Sequence, residues 1–148
     1  MPWPRMTTSM PHKTSPLTIL DHRFLEVSVK TNEAPSEYGQ YDLVTRAEIF
    51  STESDPLKWQ VLLEVAFGPR DTESPTPYTG KVVVSGFFRI LESFTETNRE
   101  ALIRVSAASI LYGSSREMVA NITARSIHGI LSLPSISFRK EKPEEENG

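Results

Sequence analysis

The alternation of apolar and polar residues is clearest between Trp59 and Phe67, and it limits what this segment can fold into. Every second residue there is large and apolar, whereas the residues between them include Glu64. A period of two places one set of side chains on each face of a β-strand. A Gly-Pro pair follows directly and ends the pattern. The segment is therefore predicted to be a strand with one buried face.

The same period recurs in three further segments, which begin at Leu20, at Tyr41 and at Tyr78. Short polar connections between consecutive strands favour an antiparallel sheet. Gly86, inside the last of these strands, indicates either a bulge or a close approach of two backbones. The expected inward faces are Leu25, Val27 and Val29 in the first strand, Leu43, Thr45, Ala47 and Ile49 in the second, and Val82, Val84, Phe88 and Ile90 in the fourth.

After the fourth strand the pattern becomes helical. Thr97 and Glu100 have the spacing of a capping box, which predicts the start of a helix that Gly113 ends. Residues 114–117 repeat the capping spacing and predict a second helix, which stops at Gly129. The fold class is thus α+β, with a four-stranded antiparallel sheet followed by helices packed on one face. The expected apolar stripe of the second helix is Leu111, Met118, Val119 and Ile122.

The chain divides into three parts by composition. Residues 1–17 are rich in Pro, Thr and Ser and are expected to be a disordered leader. They lack the apolar core of a signal peptide, and Met6 or Met10 is an alternative start. Residues 18–138 are expected to form a single domain, and residues 139–148 a charged, disordered tail.

Bulk properties exclude several classes of function. A chain of 148 residues with 38% hydrophobic and 24% charged residues suits one globular domain. A net charge of −3 provides no broad basic face, so nucleic acid is not expected as a partner. The absence of cysteine excludes disulfides and zinc–thiolate sites and suits the cytoplasm. No apolar run approaches the ~20 residues that span a bilayer.

Catalytic signatures are missing. His12, His22 and His128 have no partner at metal-ligand spacing, and a cation at a helix C-terminus is the preferred interpretation of His128. No nucleophile elbow occurs among the serines, and Gly80-Lys81 lacks the preceding glycine of a phosphate loop. We therefore expect neither an enzyme nor a bound metal or cofactor.

The order of elements from Gly86 onward resembles the C-terminal half of the SecB family of export chaperones. In that family an aromatic strand end is followed by a helix with an apolar-aromatic start and an Arg-Glu pair, and then by an extended apolar exit. The strands before Gly86 match only by pattern. The matching residues here are Gly86, Phe88 and Ile90, then Leu111, Tyr112, Arg116 and Glu117, and finally Leu131, Leu133 and Phe138.

The chain departs from the family pattern in three respects. Tyr112-Gly113-Ser114 stands where the family usually has an aromatic-Pro-Tyr-like step. A second long helix usually follows the apolar exit, whereas Pro143 and a run of glutamates follow it here. The net charge is also milder than the strongly acidic balance of such chaperones. The missing second helix and the mild charge weaken a general role in export, and a dedicated or divergent chaperone is an open alternative.

The resemblance implies an ATP-independent holdase that binds unfolded or precursor polypeptides in apolar grooves. It implies a homo-oligomer, a dimer of dimers, with grooves on its flanks. An export motor or an antitoxin is a further possible partner, because some family members serve protein export and others toxin–antitoxin systems. The predicted client-binding groove consists of Ile110, Leu111, Tyr112, Ile127, Ile130, Leu131 and Leu133.

Several alternatives stay open at this point. Arg116 is either a solvated residue of a capping box or a brace for a subunit or strand contact. Ile110, Leu111 and Tyr112 are either plain core or groove. An oligomeric adaptor that uses the fold only for assembly is the main rival function. A ligand-binding or enzymatic α+β domain would instead require a deep pocket with convergent polar groups.

Overall fold

The structure is a computed structural model that describes residues 3–11, 14–33, 40–71 and 75–139. One antiparallel sheet has the strand order β1-β4-β3-β2, so that β1 and β2 lie at its edges. The predicted α+β architecture with a four-stranded antiparallel sheet is confirmed. The strands are β1 (Leu17–Thr31), β2 (Tyr41–Ser51), β3 (Lys58–Pro69) and β4 (Tyr78–Ile90).

The core lies between one face of this sheet and the helical part of the chain. The alternating residues of β3 and β4 supply its centre, and Val61, Leu63 and Val84 are completely buried. Ile103, Leu111 and other residues from the helices close it on the other side. Burying such side chains contributes roughly 1.5–3 kcal/mol each, which explains why the period-two pattern determines the register.

Gly86 marks a close approach and not a bulge. A Cβ atom at this position would lie 2.6 Å from Phe88 Cε2 and 2.9 Å from Leu111 Cδ2. The pairing of β4 with β3 continues through Gly86 without a register shift. The register shifts of the sheet occur instead in β1, between Ile19 and Asp21 and between Phe24 and Glu26.

The second of these shifts corrects the predicted inward face of β1. Leu25 is the extra residue, so the alternation changes phase there. Phe24 joins Val27 and Val29 against the core, whereas Leu25 is 63% exposed. In a regular strand Leu25 and Val27 would lie on the same face. The bulge removes Leu25 from the inward face, so the prediction for Leu25 is wrong.

The helices form one continuous rod, where two were predicted. A 3₁₀ turn (Glu96–Asn98) precedes α1 (Arg99–Leu102), a π-helical stretch (Ile103–Ala107) and α2 (Ala108–Thr123). From α1 onward the backbone angles at the junctions, Leu102-Ile103 and Ala107-Ala108, are right-handed helical. Glycine in a helix interior costs only about 1 kcal/mol, and the buried face on both sides of Gly113 outweighs that cost. The predicted break at Gly113 is therefore wrong.

The predicted helix caps are also wrong. No side chain caps the 3₁₀ turn or α1, so Thr97 and Glu100 do not act as a capping box. Residues 114–117 lie inside α2. The helix ends at Thr123 and not at Gly129, because the Thr123 hydroxyl accepts a hydrogen bond from the Leu131 N–H (2.8 Å) as the chain turns back. Gly129 has φ +81° and completes that turn.

The two ends of the chain are described only in part. Residues 3–11 contain no helix or strand and are exposed. Leu17, predicted as the last residue of the leader, is 8% exposed and belongs to the core. The expected disordered tail lies outside the described residues except for Arg139. No helix in the described ranges is long and apolar enough to cross a membrane.

Candidate functional site

The exit segment, residues 130–138, runs back along α2 without regular secondary structure. Side chains of α2 hold its backbone. The Tyr112 hydroxyl donates to the Pro134 carbonyl (2.5 Å), and Arg116 Nε donates to the Leu133 carbonyl (2.8 Å). Thr123 holds the first part of the segment through Leu131. Arg116 therefore braces the chain's own exit segment and is not a solvated capping residue.

Burial shifts the ionisation of Tyr112. Desolvation raises the pKa of its hydroxyl above the usual value, and the charge of Arg116 offsets part of the rise. The ring of Tyr112 also packs edge-on against Phe138, with 5.8 Å between the ring centroids. This ring contact keeps the end of the exit segment close to the helix.

A second set of contacts fixes the turn after α2 to the sheet. The Tyr78 hydroxyl donates to the Gly129 carbonyl (2.7 Å) and accepts from the His128 N–H (3.2 Å). The Nε2 atom of His128 contacts the Asn32 carbonyl at 2.7 Å. His128 thus lies beyond the helix end, where it links the turn to the end of β1. In the described ranges no three His, Cys, Asp or Glu side chains come together as a metal-binding group.

The predicted groove residues fall into two groups by burial. Leu111, Tyr112 and Leu133 are at most 3% exposed and form part of the core. Their accessibility to a partner would require the exit segment to move. The accessible members are Ile110 (41% exposed), Ile127 (83%) and Ile130 (64%), with Leu131 partly buried.

The accessible residues do not form one continuous surface. Ile110 lies in the first turn of α2, whereas Ile127 and Ile130 follow its last turn. At a rise of 1.5 Å per residue, the length of α2 separates the two by roughly 20 Å. Ile127, Ile130 and Leu131 lie close together in the chain, in the turn after α2 and at the start of the exit segment, and we call these three residues the exit patch; Ile110 lies on a different part of the surface.

Both edges of the sheet carry exposed apolar residues outside the predicted groove. On β1 the residues near the two bulges, Leu20 and Leu25, are 49% and 63% exposed. On β2 Val44 and Phe50 are 54% and 47% exposed, on the face away from the helices. The signal on β2 was present in the sequence, because both residues are apolar at positions where the alternation expects polar ones.

A groove runs between the edge strand β2 and the helices, and we call it the β2 groove. It consists of two adjoining cavities of about 360 and 370 Å³, and a neighbouring cavity of about 250 Å³ is lined by helix residues alone; all three share Glu100 in their linings. The first two have volumes within the ~300–1,000 Å³ range of ligand sites. The middle of the groove is lined by Ala47, Ile49, Ser51, Trp59, Glu100 and Arg104.

The sheet face away from the helices is balanced in charge. Lys81 lies at its centre, 3.1 Å from a Glu64 oxygen and 3.6 Å from a Glu26 oxygen. The hydrogen bond with Glu64 and the charge of Glu26 raise the pKa of Lys81 above its usual value. Acidic and basic residues alternate across this face: Asp21, Arg23, Glu26, Lys30, Asp42, Arg46, Glu48, Lys58, Glu64, Lys81 and Arg89.

No protein-family model and no curated protein matches this sequence. Among solved structures, the fold matches the SecB-like chaperone Rv1957 of Mycobacterium tuberculosis, determined in complex with a ChAD peptide from the Rv1956 HigA1 antitoxin. The TM-score is 0.61 at 21% identity, over 82% of this chain and 91% of that one. A protein of unknown function from Streptococcus agalactiae is 8% identical, over 80% of this chain and 97% of that one, and its TM-score of 0.45 supports no argument. This chain therefore has a SecB-like fold.

Proposed function

We propose that this protein is an ATP-independent holdase chaperone of the cytoplasm, which binds unfolded polypeptide segments through exposed apolar surface. The observation that supports this function is the exit patch, where the side chains of Ile127 and Ile130 are exposed beside a well-packed core. Large exposed apolar patches mark sites of interaction with other proteins, membranes or ligands, whereas single exposed apolar residues are ordinary. The SecB-like fold is consistent with this role.

The exit patch suits partners of varied sequence. Its apolar contacts have no fixed direction, and each contributes at ~25 cal/mol per Å² of apolar surface removed from water. Tyr112, Arg116 and Thr123 hold the segment beneath the patch by its backbone. A client would therefore meet a surface that is already ordered, and little conformational entropy would be lost in forming the contact.

Assembly into a dimer of dimers would increase affinity for long clients. Several weak patches on one particle bind one unfolded chain more tightly than a single patch, because later contacts become intramolecular. Ile19, Leu20 and Leu25 on β1 offer an apolar edge for such assembly, together with Ile110 on α2. These residues lie apart from the exit patch, which would stay free for clients.

A dedicated client such as an antitoxin fits the chain better than a general role in export. Under the resemblance, an export motor is recognised through an acidic sheet surface. Here the corresponding face alternates in charge, and Lys81 compensates Glu26 and Glu64. The SecB-like chaperone with the same fold was solved with an antitoxin peptide, which favours a partner of this class.

Aggregation suppression tests the proposal. A chemically denatured reporter is diluted into buffer with and without the protein, without nucleotide, and light scattering is followed. The mass in solution is measured on the same sample. We expect suppression at a stoichiometric amount of tetramer. Unchanged scattering from a sample that is fully tetrameric would contradict the holdase function and leave the adaptor as the better account.

A further inference from the structure

The chain before β1 leaves the sheet at the end where β2 stops. The Leu91 N–H donates to the Pro16 carbonyl (2.8 Å) just before β1 begins. Each neighbouring pair of strands is antiparallel, so the start of β1 and the end of β2 at Ser51 lie at the same end of the sheet. Residues 3–11, which we call the N-terminal segment, are exposed and follow from this point.

One cavity of the β2 groove lies at this same end of the sheet, and we call it the end cavity. It has a volume of about 370 Å³ and is lined by the turn after β2 and by the start of the helical rod. Its lining includes Thr52, Glu53, Pro56, Trp59, Glu96 and Arg99.

Two carboxylates of the end cavity have no partner. Glu53 and Glu96 form no ion pair with a residue in the described ranges, whereas Glu100 is paired with Arg104 at 2.7 Å. Among the described residues that line this cavity, Arg99 is the only cation. The cavity therefore carries surplus negative charge and suits a basic side chain.

Two N–H donors in the same lining lack an acceptor. Trp59 Nε1 and Arg99 Nε are buried atoms, and neither donates to a residue that the structure describes. Buried donors without acceptors are rare in folded proteins, because each loses its bond to water without replacing it. The end cavity therefore suits an occupant that brings both a positive charge and carbonyl oxygens, which is the chemistry of a basic peptide segment.

The N-terminal segment has this chemistry. Arg5 supplies the positive charge, and no Asp or Glu precedes Asp21 in the sequence. Trp3 is 93% exposed, although tryptophan is buried to a large extent in most folded proteins. Pro4 lies between the two and favours an extended backbone, so less conformational entropy is lost when the segment docks.

The length of the chain allows Arg5 to reach the end cavity. Three strand spacings of ~4.8 Å separate β1 from β2, which gives a span of roughly 15 Å. Arg5 precedes Pro16 by eleven residues, and such a length of chain extends to at most ~36–40 Å. A segment tethered in this way has an effective concentration in the millimolar range, so even a weak contact is populated.

We propose that the N-terminal segment docks in the end cavity of its own chain, where Arg5 pairs with Glu53 and Glu96. Trp3 then packs on the apolar part of the lining, and the carbonyl groups beside it accept from the buried donors. The segment is a built-in occupant, which any other ligand of the end cavity has to displace. This inference goes beyond the proposed chaperone function and does not rest on it, because the turn with the exit patch is fixed to Tyr78 at the opposite end of the sheet.

Disulfide formation tests the docking, because the chain has no native cysteine and a disulfide requires Cα atoms within about 7 Å. Thr7→Cys is combined either with Thr52→Cys in the end cavity or with Lys58→Cys, at the same end of the sheet on its other face. We expect the first pair to form an intramolecular disulfide at least about tenfold faster than the second. Equal rates would overturn the inference. Intermolecular disulfides alone would also overturn it, by showing the segment of a second copy in the cavity.

Charge exchange tests the assigned contact. Arg5→Glu in the first cysteine pair should remove the advantage in rate, and the further substitutions Glu53→Lys and Glu96→Lys should restore it. An advantage that survives Arg5→Glu would contradict the contact. So would a folded charge-exchanged protein that forms the disulfide no faster than the Arg5→Glu protein.

Trypsin cleavage after Arg5, followed by mass spectrometry, tests the docking without cysteines. The double variant Glu53→Gln and Glu96→Gln should be cleaved there severalfold faster than the native chain. The control variant Glu48→Gln and Glu117→Gln removes two exposed carboxylates outside the cavity and should be cleaved at the native rate. Equal rates in all three proteins would overturn the inference. Protection of Arg5 in a sample that does not suppress aggregation would support the docking and contradict the proposed function alone.

Discussion

Leu111 packs over the backbone of Gly86 so closely that a Cβ at position 86 would fall 2.9 Å from Leu111 Cδ2. This contact joins α2 to the middle of β4, and it shows why the strand needs a residue without a side chain there. Gly113, two residues beyond Leu111, is in the opposite situation, since a Cβ there would have no atom within 4 Å.

The two glycines predict opposite effects of one substitution. Gly86→Ala should destabilise the fold by about 1–3 kcal/mol, because the added methyl overpacks Phe88 and Leu111. Gly113→Ala should stabilise it by roughly 0.5–1 kcal/mol, because alanine is the better helix former. Chemical denaturation of both variants measures the difference. Equal effects of the two substitutions would mean that Leu111 does not lie on Gly86 as described.

Loss of the Arg116 brace should loosen the exit segment. Arg116→Gln shortens the side chain and removes its charged donor to the Leu133 carbonyl. Hydrogen bonds to charged groups contribute about 1.5–3 kcal/mol, and the lower end applies to this partly buried one. We expect faster hydrogen exchange at residues 131–138 with little change in the sheet. Arg125→Gln, in the exposed turn after α2, is the control and should leave both unaffected.

The burial of Leu133 predicts that part of the exit segment belongs to the core. Leu133→Ala should cost about 2–5 kcal/mol, because it leaves a cavity under α2. Ile130→Ala, only three residues away, removes a 64% exposed side chain and should change stability by less than about 0.5 kcal/mol. Thermal or urea unfolding of the pair checks the contrast. Similar losses in both variants would contradict the described burial.

Alkaline pH should weaken the fold through Tyr112. Burial raises the pKa of this hydroxyl in the folded protein above its ordinary value of 10.0, so the folded state keeps its proton when the unfolded chain has lost it. The contribution is fully present below pH 10.0 and decreases as pH rises through the folded pKa. The pKa of Lys81 is also raised, and its contribution to stability decreases above pH 10.5. Urea unfolding across this range should show a shallower decline for Tyr112→Phe than for the native protein.

The exit patch makes a prediction about activity without loss of stability. The double variant Ile127→Ser and Ile130→Ser should reduce aggregation suppression severalfold, because each change removes apolar contact worth ~1 kcal/mol or more with a client. Met6→Ser removes an equally exposed apolar residue from the N-terminal segment and should have no effect. Full suppression by the double variant with an unchanged melting temperature would exclude the patch as a client site.

The strands could be predicted from sequence because their signal is local. In β3 every second residue from Trp59 to Phe67 takes the inward face that its position assigns. The phase of β1 could not be predicted, because Leu25 is as apolar as Phe24 and Val27 and only pairing with β4 reveals the bulge. The helix break predicted at Gly113 is wrong for a related reason. Its cost in a helix is small, and the packing that offsets it comes from distant strands.

The accessible part of the site was only partly visible in the sequence. Ile127 and Ile130 were predicted as binding residues and are exposed, whereas their binding role stays a prediction. Leu111 and Leu133 are as apolar in the sequence as Ile127 and Ile130, yet they are buried, because residues distant in the sequence cover them. Arg116 is seventeen residues from its acceptor, Leu133, and no local pattern reveals such a bond. The β2 groove arises only when helix and edge strand meet.

Tyr112 and Arg116 hold the exit segment by donating hydrogen bonds to its backbone carbonyl oxygens, which every amino acid has. The outward positions on either side of those carbonyls, Ser132 and Ser135, are exposed and do not hold the segment to the helix. Their identity can therefore change while the path of the chain stays the same. The surface of the exit segment can therefore be altered one residue at a time while the fold stays intact.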